Sequence, residues 1–475
     1  MTINKIESLL NSKFIIILIF TVFGLIIFSF SFNFGFFWDN LLFASKIGNH
    51  FYYDGLFNWV IPNNFDSGHP PTFGFLLAIF WNMFGRSLLV SHLLMIPISI
   101  ATLYQLYKFA LFFTNSNIIS LFAILLIIVD PTLSANLILV NPELIQVWLF
   151  FLAINSILYK KQNFKIIALL FLCTFSLRGM MLCVGIFIFE FLNALLINKE
   201  KVVSILNKKF ISSYLIGSFL GFSYLIWHYI NKGWIISHPN YPWGEHRHFV
   251  SLTEFLRNNI IVIIHRYLDF GRVFIFILLL YVLIKYKNKV VTKKTKQLFL
   301  LATSSISIVV LISIFSTNPM GHRYFLVSYI TFNFLSFYII IKWINWKKSI
   351  YLLLIFGLIS GNFWIYPKDI SQGWDSSLAH IPYYELRKNA IKYLDENNIE
   401  INGVATFFPN TTTLDNVDLN NNLNSFIEFD GTNEYTFYSN VYNLSDLEYS
   451  ILDSDYKIVK SFTKNNIHIY IYKLK

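Results

Sequence analysis

The sequence predicts an all-α polytopic membrane protein with a small α/β domain at its C-terminal end. Three observations lead to this fold class. Hydrophobic residues make up 55% of the 475 residues, and charged residues only 13%. Eleven apolar runs are long enough to cross or nearly cross a bilayer. After Tyr366 the composition changes to Asn, Asp, Ser and Thr. The composition as a whole excludes a soluble globular enzyme.

The apolar runs are the predicted membrane spans. Between 164 and 197 the runs are short for full spans because Arg178 interrupts them, and they could be tilted or broken helices buried in protein. We assign residues 1–366 to the transmembrane domain and residues 37–86 to its first outer loop. The runs lie near 14–36, 87–112, 118–135, 141–159, 164–178, 180–197, 211–230, 270–286, 297–316, 324–341 and 349–366.

The lysines and arginines orient these spans. When the N-terminus is placed in the cytoplasm, the inner connections hold most of the lysines, and the outer connections hold fewer basic residues over longer stretches. This asymmetry follows the positive-inside rule. Lysines that face anionic lipid then explain the formal charge of +11, and nucleic-acid binding is not needed. We predict a protein of the inner or plasma membrane with a cytoplasmic N-terminus.

Residues 367–475 form the predicted extracytoplasmic domain. The sequence predicts one helix at 383–397 and strands with alternating apolar residues, the last two joined by a hairpin turn at 464–466. This domain contains no catalytic motif that we can identify, so the chemistry is expected in the transmembrane domain. The predicted strands lie at 404–408, 435–438, 456–462 and 467–472.

The first outer loop carries ionisable residues directly beside the first span. Trp38 and Asp39 follow that span, and His69 precedes Pro70 and Pro71. Ionisable groups at a bilayer are costly, so they usually mark a functional site. Asp39 is therefore a candidate catalytic residue, and His69, held by a rigid turn, is a candidate phosphate ligand.

Further unusual polar residues fall on the same side of the membrane in this topology. Glu143 and Arg178 flank later outer connections, and Arg323 opens a late span. A carboxylate can deprotonate an attacking hydroxyl, and Arg or His can bind a phosphate leaving group. Aromatic residues such as Trp38 and Trp243 can stack on sugar faces. The set suits a reaction between an anionic lipid head group and an external acceptor.

The order of these motifs resembles the GT-C superfamily of integral-membrane glycosyltransferases. The similarity is greatest to the branch that contains protein O-mannosyltransferases and lipid A aminoarabinose transferases, and it covers roughly residues 10–345. An outer C-terminal domain fits the same pattern. The motifs are Trp38-Asp39, His69-Pro70-Pro71, Pro131, Asn141-Pro142-Glu143 and Arg323-Tyr324-Phe325.

The resemblance implies a donor sugar on a polyprenyl phosphate that enters from the lipid. The acceptor, a glycan, a lipid or a protein, would approach from outside. By position, Asp39 would be the general base, and Glu143 would be a second acid that orients an acceptor or a metal. Arg178, with His69 or Arg323, would hold the phosphate. Glu143 stands where Asp is common in the family and Arg178 where Lys is frequent, so the identity of the donor stays open.

Other interpretations remain open at this stage. Asp39 could cap a helix, and Glu143 could be a charge favoured by a helix dipole. A transporter or flippase of lipid-linked saccharides, or a polymerase of such saccharides, could also gather outer charges around a lipid phosphate. A divalent metal is possible but not required, and no cofactor is assigned. His238, Glu245, His246 and His248 could hold a metal, although their irregular spacing is more typical of solvated loop histidines.

Overall fold

The structure is a computed structural model of the chain. It describes residue 7, residues 9–236, 238, 248–315, 317, 321–344, 347–367 and 372–475. Helices dominate as far as Phe363, and a five-stranded sheet follows in the C-terminal region.

Helices α1 to α17 build the apolar part of the chain. They are α1 (Lys13–Ser31), α2 (Ile47–Tyr53), α3 (Thr72–Phe84), α4 (Leu88–Thr114), α5 (Asn117–Ile128), α6 (Pro131–Ile138), α7 (Glu143–Leu158), α8 (Gln162–Phe175), α9 (Leu177–Leu192), α10 (Val202–Ile205), α11 (Lys208–Lys232), α12 (Leu252–Glu254), α13 (Ile260–Leu268), α14 (Arg272–Val290), α15 (Lys293–Ile314), α16 (Leu326–Trp343) and α17 (Lys347–Ser360).

Several of these helices are able to span a membrane, as expected of an integral membrane protein. Among the described residues, six helices are long and apolar enough, and two sharply bent helix pairs raise the number to eight if each pair is one span. The bent pairs are α5–α6 and α13–α14. A total of eleven spans therefore stays a prediction. The six are α1, α4, α9 with its π-helical extension, α11, α15, and α16 with the 3₁₀ turn before it.

The run predicted as one span at 118–135 is broken at Asp130. Proline lacks an N–H and disfavours the α conformation in the residue before it. Asp130 is extended, with φ −60° and ψ 124°, and its carboxylate accepts the Thr132 N–H at 3.0 Å. Helix α6 therefore starts in a new direction, at 80° to α5.

The segment predicted as the first outer loop, 37–86, is largely helical. It contains a π-helical stretch, Leu41–Lys46, followed by α2 and α3. Helix α3 is apolar and begins directly after Pro71, which is its N-cap residue. The loop is therefore a packed structure, with Phe73, Leu77 and Trp81 buried in the main core.

Two glycines let α8 and α11 approach closely. A Cβ atom at Gly217 would lie 2.6 Å from the Leu169 Cβ, and one at Gly221 would lie 2.7 Å from the Cys173 Cβ. Real Cβ atoms do not come this close, so the contact depends on glycine. Small residues play this role at helix–helix contacts in membranes, where close packing drives association.

The C-terminal region forms an α/β domain. Helices α18 (Pro382–Glu396), α19 (Leu414–Asp418) and α20 (Asp446–Asp455) accompany strands β1 (Val404–Thr406), β2 (Ile427–Glu428), β3 (Tyr435–Ser439), β4 (Tyr456–Lys464) and β5 (Ile467–Leu474). The strand order is β2-β1-β3-β5-β4. Strand β1 is parallel to β2 and β3, whereas β5 is antiparallel to β3 and β4. The predicted helix, four strands and final hairpin are confirmed.

Helix α19 docks this domain on residues 37–86, the predicted first outer segment. Arg86 forms a buried ion pair with Asp415, and the Asn49 amide donates to Asn416 Oδ1 at 2.8 Å. A Cβ at Gly35 would lie 2.9 Å from the Val417 carbonyl oxygen. The chain just before Asp39 is thus held directly against the C-terminal domain.

Candidate active site

Arg323 is the centre of a buried cluster of charged side chains. It lies in the 3₁₀ turn His322–Phe325 that precedes α16. Its guanidinium forms ion pairs with Asp39 and Asp375, and its Nε lies 3.9 Å from Glu143 Oε1. Three carboxylates from distant parts of the chain thus converge on one arginine. The first outer segment, the start of α7 and the segment after α17 each supply one of them.

Arg178 extends this cluster through Glu143. Its Nη2 lies 3.1 Å from Glu143 Oε1, and its guanidinium stands 4.2 Å from the centre of the Tyr324 ring. The Arg178 side chain is 18% exposed, against 6% for Arg323, so Arg178 is the more accessible cation. Two guanidiniums thus face three carboxylates, which leaves one acid without a matching cation within the cluster.

The backbone turns sharply just before Asp39. Trp38 adopts φ 54°, a left-handed conformation that is uncommon for a bulky residue and often marks a functional site. Its indole N–H has no hydrogen-bond partner among the described residues, and its ring meets Phe408 edge-on at 6.2 Å. The Asp39 carboxylate contacts Arg323, so the structure gives no support to a purely capping role.

Glu143 is the first residue of α7, but Asn141 is the residue whose side chain caps this helix. The Asn141 side-chain oxygen accepts the Leu144 N–H at 3.2 Å. The Glu143 carboxylate is 5% exposed and faces the two arginines instead. The interpretation of Glu143 as a mere helix-terminal charge therefore does not describe its contacts.

His69 lies beside the first turn of α9, which carries Arg178. The Leu177 N–H donates to His69 Nδ1 at 3.2 Å, and the Tyr224 hydroxyl donates to the His69 carbonyl at 3.1 Å. His69, Ser176 and Arg178 line one small crevice, which has room for about one water molecule. The structure thus brings two of the predicted phosphate ligands to the same opening.

Asp66 fixes the turn that carries His69. It is buried, accepts the Gly68 N–H at 2.9 Å and lies 3.1 Å from His228 Nε2 on α11. Gly68 has φ 73°, and a Cβ there would lie 2.8 Å from the Trp234 ring. Asp66 is therefore a residue that positions the His69 turn.

Asp375 was missed by the sequence analysis. It lies after the last apolar run, in the 3₁₀ turn Trp374–Ser376, and outside the range that resembles the GT-C superfamily. One signal could have found it, because Trp374-Asp375 repeats the dipeptide Trp38-Asp39. Both acids of the two dipeptides contact Arg323.

A His–Asp pair supports the turn that holds Arg323. His322 Nε2 lies 2.6 Å from Asp269 Oδ2, and the His322 ring stacks on Phe270 with centroids 4.2 Å apart. Both side chains are almost completely buried. This contact connects the bend between α13 and α14 to the charged cluster.

Some of the predicted site and metal-binding residues are not among those that the structure describes. Trp243 falls outside the described residues, as do Glu245 and His246. Within the described part of the chain, no group of three or more His, Cys, Asp or Glu side chains is placed to hold a metal ion. The carboxylates of the cluster are paired with arginines instead.

An apolar cleft lies along α9, beyond Arg178. It runs between α9 and α11. Met181, Val184, Phe187, Phe222 and Leu225 are among the residues that line it. Met181 is three positions from Arg178 on the same helix, so the apolar cleft and the cationic side chain share one element.

Comparison with known proteins shows the fold. No protein-family model matches the sequence, and no curated protein matches it. ArnT from Cupriavidus metallidurans bound to undecaprenyl phosphate is similar in structure, with a TM-score of 0.53 at 10% identity over 97% of this chain and 98% of that chain. ArnT from the same organism in the apo state gives 0.51 at 9% identity over 96% and 97%. The chain has the fold of these ArnT structures, which confirms the resemblance at the level of fold.

Proposed function

We propose that this protein is a membrane glycosyltransferase. It moves a sugar from a polyprenyl-phosphate donor to an acceptor at the outer face of the membrane, with the N-terminus in the cytoplasm and the C-terminal domain outside. The observation that carries the proposal is the network in which Arg323 joins Asp39, Glu143 and Asp375 while Glu143 also contacts Arg178. The fold shared with an ArnT that was crystallised with undecaprenyl phosphate supports the class of donor.

The donor phosphate binds at Arg178 and His69. These residues line one crevice, and Arg178 is the more exposed of the two arginines of the cluster. Its planar guanidinium can bind two phosphate oxygens at once. The apolar cleft between α9 and α11 begins within one turn of Arg178 and suits a polyprenyl chain, because its lining is almost entirely apolar.

Asp39 accepts the proton of the acceptor hydroxyl. A carboxylate bound to Arg323 is a weak base, since the cation stabilises its charged form. We propose that the donor phosphate draws Arg323 away from Asp39, which makes the carboxylate a better proton acceptor only when the donor is bound.

The transfer is a single displacement. The acceptor oxygen forms a bond to the anomeric carbon, the bond from that carbon to the phosphate oxygen breaks, and the acceptor proton passes to Asp39. The negative charge that develops on the leaving phosphate is stabilised by Arg178 and by Arg323, which contacts the phosphate once the donor is bound. The configuration at the anomeric carbon is inverted because no covalent enzyme intermediate forms.

Genetic complementation with mass spectrometry of lipid-linked sugars and glycans tests the proposal. Deletion of the gene should cause one polyprenyl-phosphate sugar to accumulate and one glycan modification to disappear. Asp39→Asn should fail to restore the modification, while Asp54→Asn, the same change at an exposed acid of the same outer segment, should restore it. Immunoblots of membranes would establish equal amounts of each variant.

Reconstitution separates an enzyme from a transporter. Purified protein in liposomes should consume the accumulated lipid-linked sugar and release polyprenyl phosphate when acceptor is present on its outer side. Movement of the intact donor across the bilayer without release of polyprenyl phosphate would contradict the proposal. Full activity of Asp39→Asn would refute the assignment of the base but leave the class of reaction in place.

A further inference from the structure

The C-terminal domain carries an open cleft that has no role in the reaction proposed above. On one side are the C-terminal end of β3, the N-terminal end of β5 and the start of α20, and on the other are residues 363, 365–367, 372 and 374. Clefts of this kind, with aromatic walls and a few polar groups, are the usual form of a small-molecule site.

Tyr438 and His468, which line the cleft, belong to a row of aromatic rings on a single face of the sheet. Tyr438 on β3 is paired in register with Tyr470 on β5, and their rings stack with centroids 6.0 Å apart. The His468 ring lies parallel to that of Tyr470 at 6.0 Å. The opposite face of β5 carries Ile467, Ile469 and Ile471, all completely buried. The core isoleucines of β5 thus lie on one face of the strand, and the rings of His468 and Tyr470 lie on the other.

Neutral polar groups complete the lining. Asn440, Asn443 and Asn466 border the cleft, and Tyr449 projects from α20, where its hydroxyl lies 3.3 Å from that of Tyr438. The Nδ1 atom of His468 has no hydrogen-bond partner within the described part of the chain. Asparagine offers two donors and an acceptor at once, which matches vicinal hydroxyls.

The charge of the lining selects between ligands. The described lining contains no Lys or Arg, and its one acidic residue is Asp446. Asp446 would repel a phosphate or an anionic lipid head group. Aromatic faces are electron-rich and attract the polarised C–H groups of a sugar ring. The lining thus favours an uncharged saccharide.

The cleft adjoins the charged cluster through two neighbouring residues. Trp374 lines the cleft, and Asp375, the next residue, is paired with Arg323. Tyr366 also lines the cleft, and its hydroxyl lies 3.4 Å from His322 Nε2. A ligand in the cleft would therefore touch the turn that supplies one of the three carboxylates.

We propose that this cleft binds an uncharged oligosaccharide, and that this saccharide is part of the acceptor. That the saccharide is part of the acceptor rests on the proposed function, whereas its binding in the cleft does not. Binding in the cleft would hold the acceptor beside the Trp374–Ser376 turn, so that its free hydroxyl can be presented toward Asp39.

Glycan binding by the full-length protein in detergent tests the cleft directly. The probe is a printed array of neutral oligosaccharides together with sialylated and phosphorylated glycans. The wild type should bind one or more neutral glycans saturably. Tyr449→Ala and Asn443→Ala should each weaken that binding at least ten-fold. Leu447→Ala, at an exposed residue of the same helix that does not line the cleft, should leave it unchanged.

The outcomes separate this proposal from the proposed function. Absence of saturable binding to neutral glycans, a preference for anionic ones, or binding that both variants retain would overturn the cleft proposal. Saturable neutral binding in a protein that never releases polyprenyl phosphate would uphold the cleft and refute the transferase. Where both hold, Tyr449→Ala should raise the KM for acceptor while donor binding stays unchanged.

Discussion

Arg272 and Asp130 join the two sharp bends of the helical domain. Arg272 begins α14 after the bend from α13, and Asp130 lies at the bend between α5 and α6. The pair is bidentate, with Nη2–Oδ1 at 2.6 Å and Nε–Oδ2 at 2.9 Å. The Arg272 guanidinium lies 3.6 Å from the centre of the Tyr329 ring. One buried ion pair thus fixes the directions of both bent helix pairs relative to each other.

Breaking this pair should destabilise the protein strongly. Asp130→Asn keeps the shape of the side chain but leaves Arg272 as an uncompensated buried cation, which costs about 3–5 kcal/mol. Arg272→Met should cost a similar amount. The double variant should lose less than the sum of the two, because neither charge is then left alone. Unfolding of the purified proteins in detergent, compared as a double-mutant cycle, measures the coupling. Strict additivity would contradict the expected interaction.

Arg178→Lys should impair transfer although the charge is kept. The guanidinium contacts Glu143 and lies over the Tyr324 ring, and an ammonium cannot reproduce both planar contacts. We expect a loss of roughly ten- to hundred-fold in kcat/KM, since a hydrogen bond to a charged group contributes about 1.5–3 kcal/mol. Initial rates of donor consumption in liposomes give the value.

Variants of Tyr324 provide the matched comparison. Tyr324→Phe preserves the ring under Arg178 and should retain most of the activity, whereas Tyr324→Leu should approach the defect of Arg178→Lys. Equal rates for the Phe and Leu variants would show that the ring does not contribute.

Much of the fold could be predicted from the sequence, because strong periodic patterns of apolar residues determine it. Alternating residues define β4 and β5, and apolar runs define most of the long helices. Asp39, Glu143, Arg178 and Arg323 were selected separately, and the structure places them in one contact network. Their chemical roles remain predictions.

The rest of the fold and of the candidate site depends on tertiary contacts that no local sequence pattern encodes. Asp375 lies in a segment without periodicity, and only its tertiary contact with Arg323 distinguishes it from a loop acid. Asp66 lies in a similar loop-like stretch with Asn, Ser and Gly neighbours, yet His228 on α11 makes it a buried partner. The helices of the first outer segment were missed because Asn, Gly and Pro separate short apolar stretches there.

Gly217→Ala should destabilise the contact between α8 and α11. The new methyl group would lie 2.6 Å from the Leu169 Cβ, so the helices must separate, at a cost of about 1–3 kcal/mol. Gly24→Ala is the control, since its nearest neighbours are 3.7 Å away and alanine favours a helix. Thermal unfolding in detergent should show a lower Tm for Gly217→Ala alone. A Tm at or above that of the wild type would mean that the contact is adaptable.

His380 should make the stability of the C-terminal domain depend on pH. Its ring stacks on Phe37 with centroids 4.6 Å apart, and its Nδ1 donates to the Ser377 carbonyl at 2.7 Å. Burial lowers its pKa from the ordinary 6.5 to about 4. Between these values the unfolded chain binds a proton that the folded domain does not. The stability contributed by the neutral ring is therefore fully present above pH 6.5 and is lost as the pH falls toward 4.

The loss should reach about 2 kcal/mol at pH 5, because one pH unit corresponds to about 1.4 kcal/mol. Hydrogen exchange of the 372–475 region, followed by mass spectrometry at pH 7.5 and pH 5 after correction for the intrinsic rate, measures it. His380→Phe should be less stable at pH 7.5, since it lacks the hydrogen bond to Ser377. Its stability should nevertheless fall less between the two pH values.

Because Phe37 directly precedes Trp38 and Asp39, the wild type should also lose transfer activity reversibly over this range. An equal loss of activity in His380→Phe would exclude this histidine as the cause.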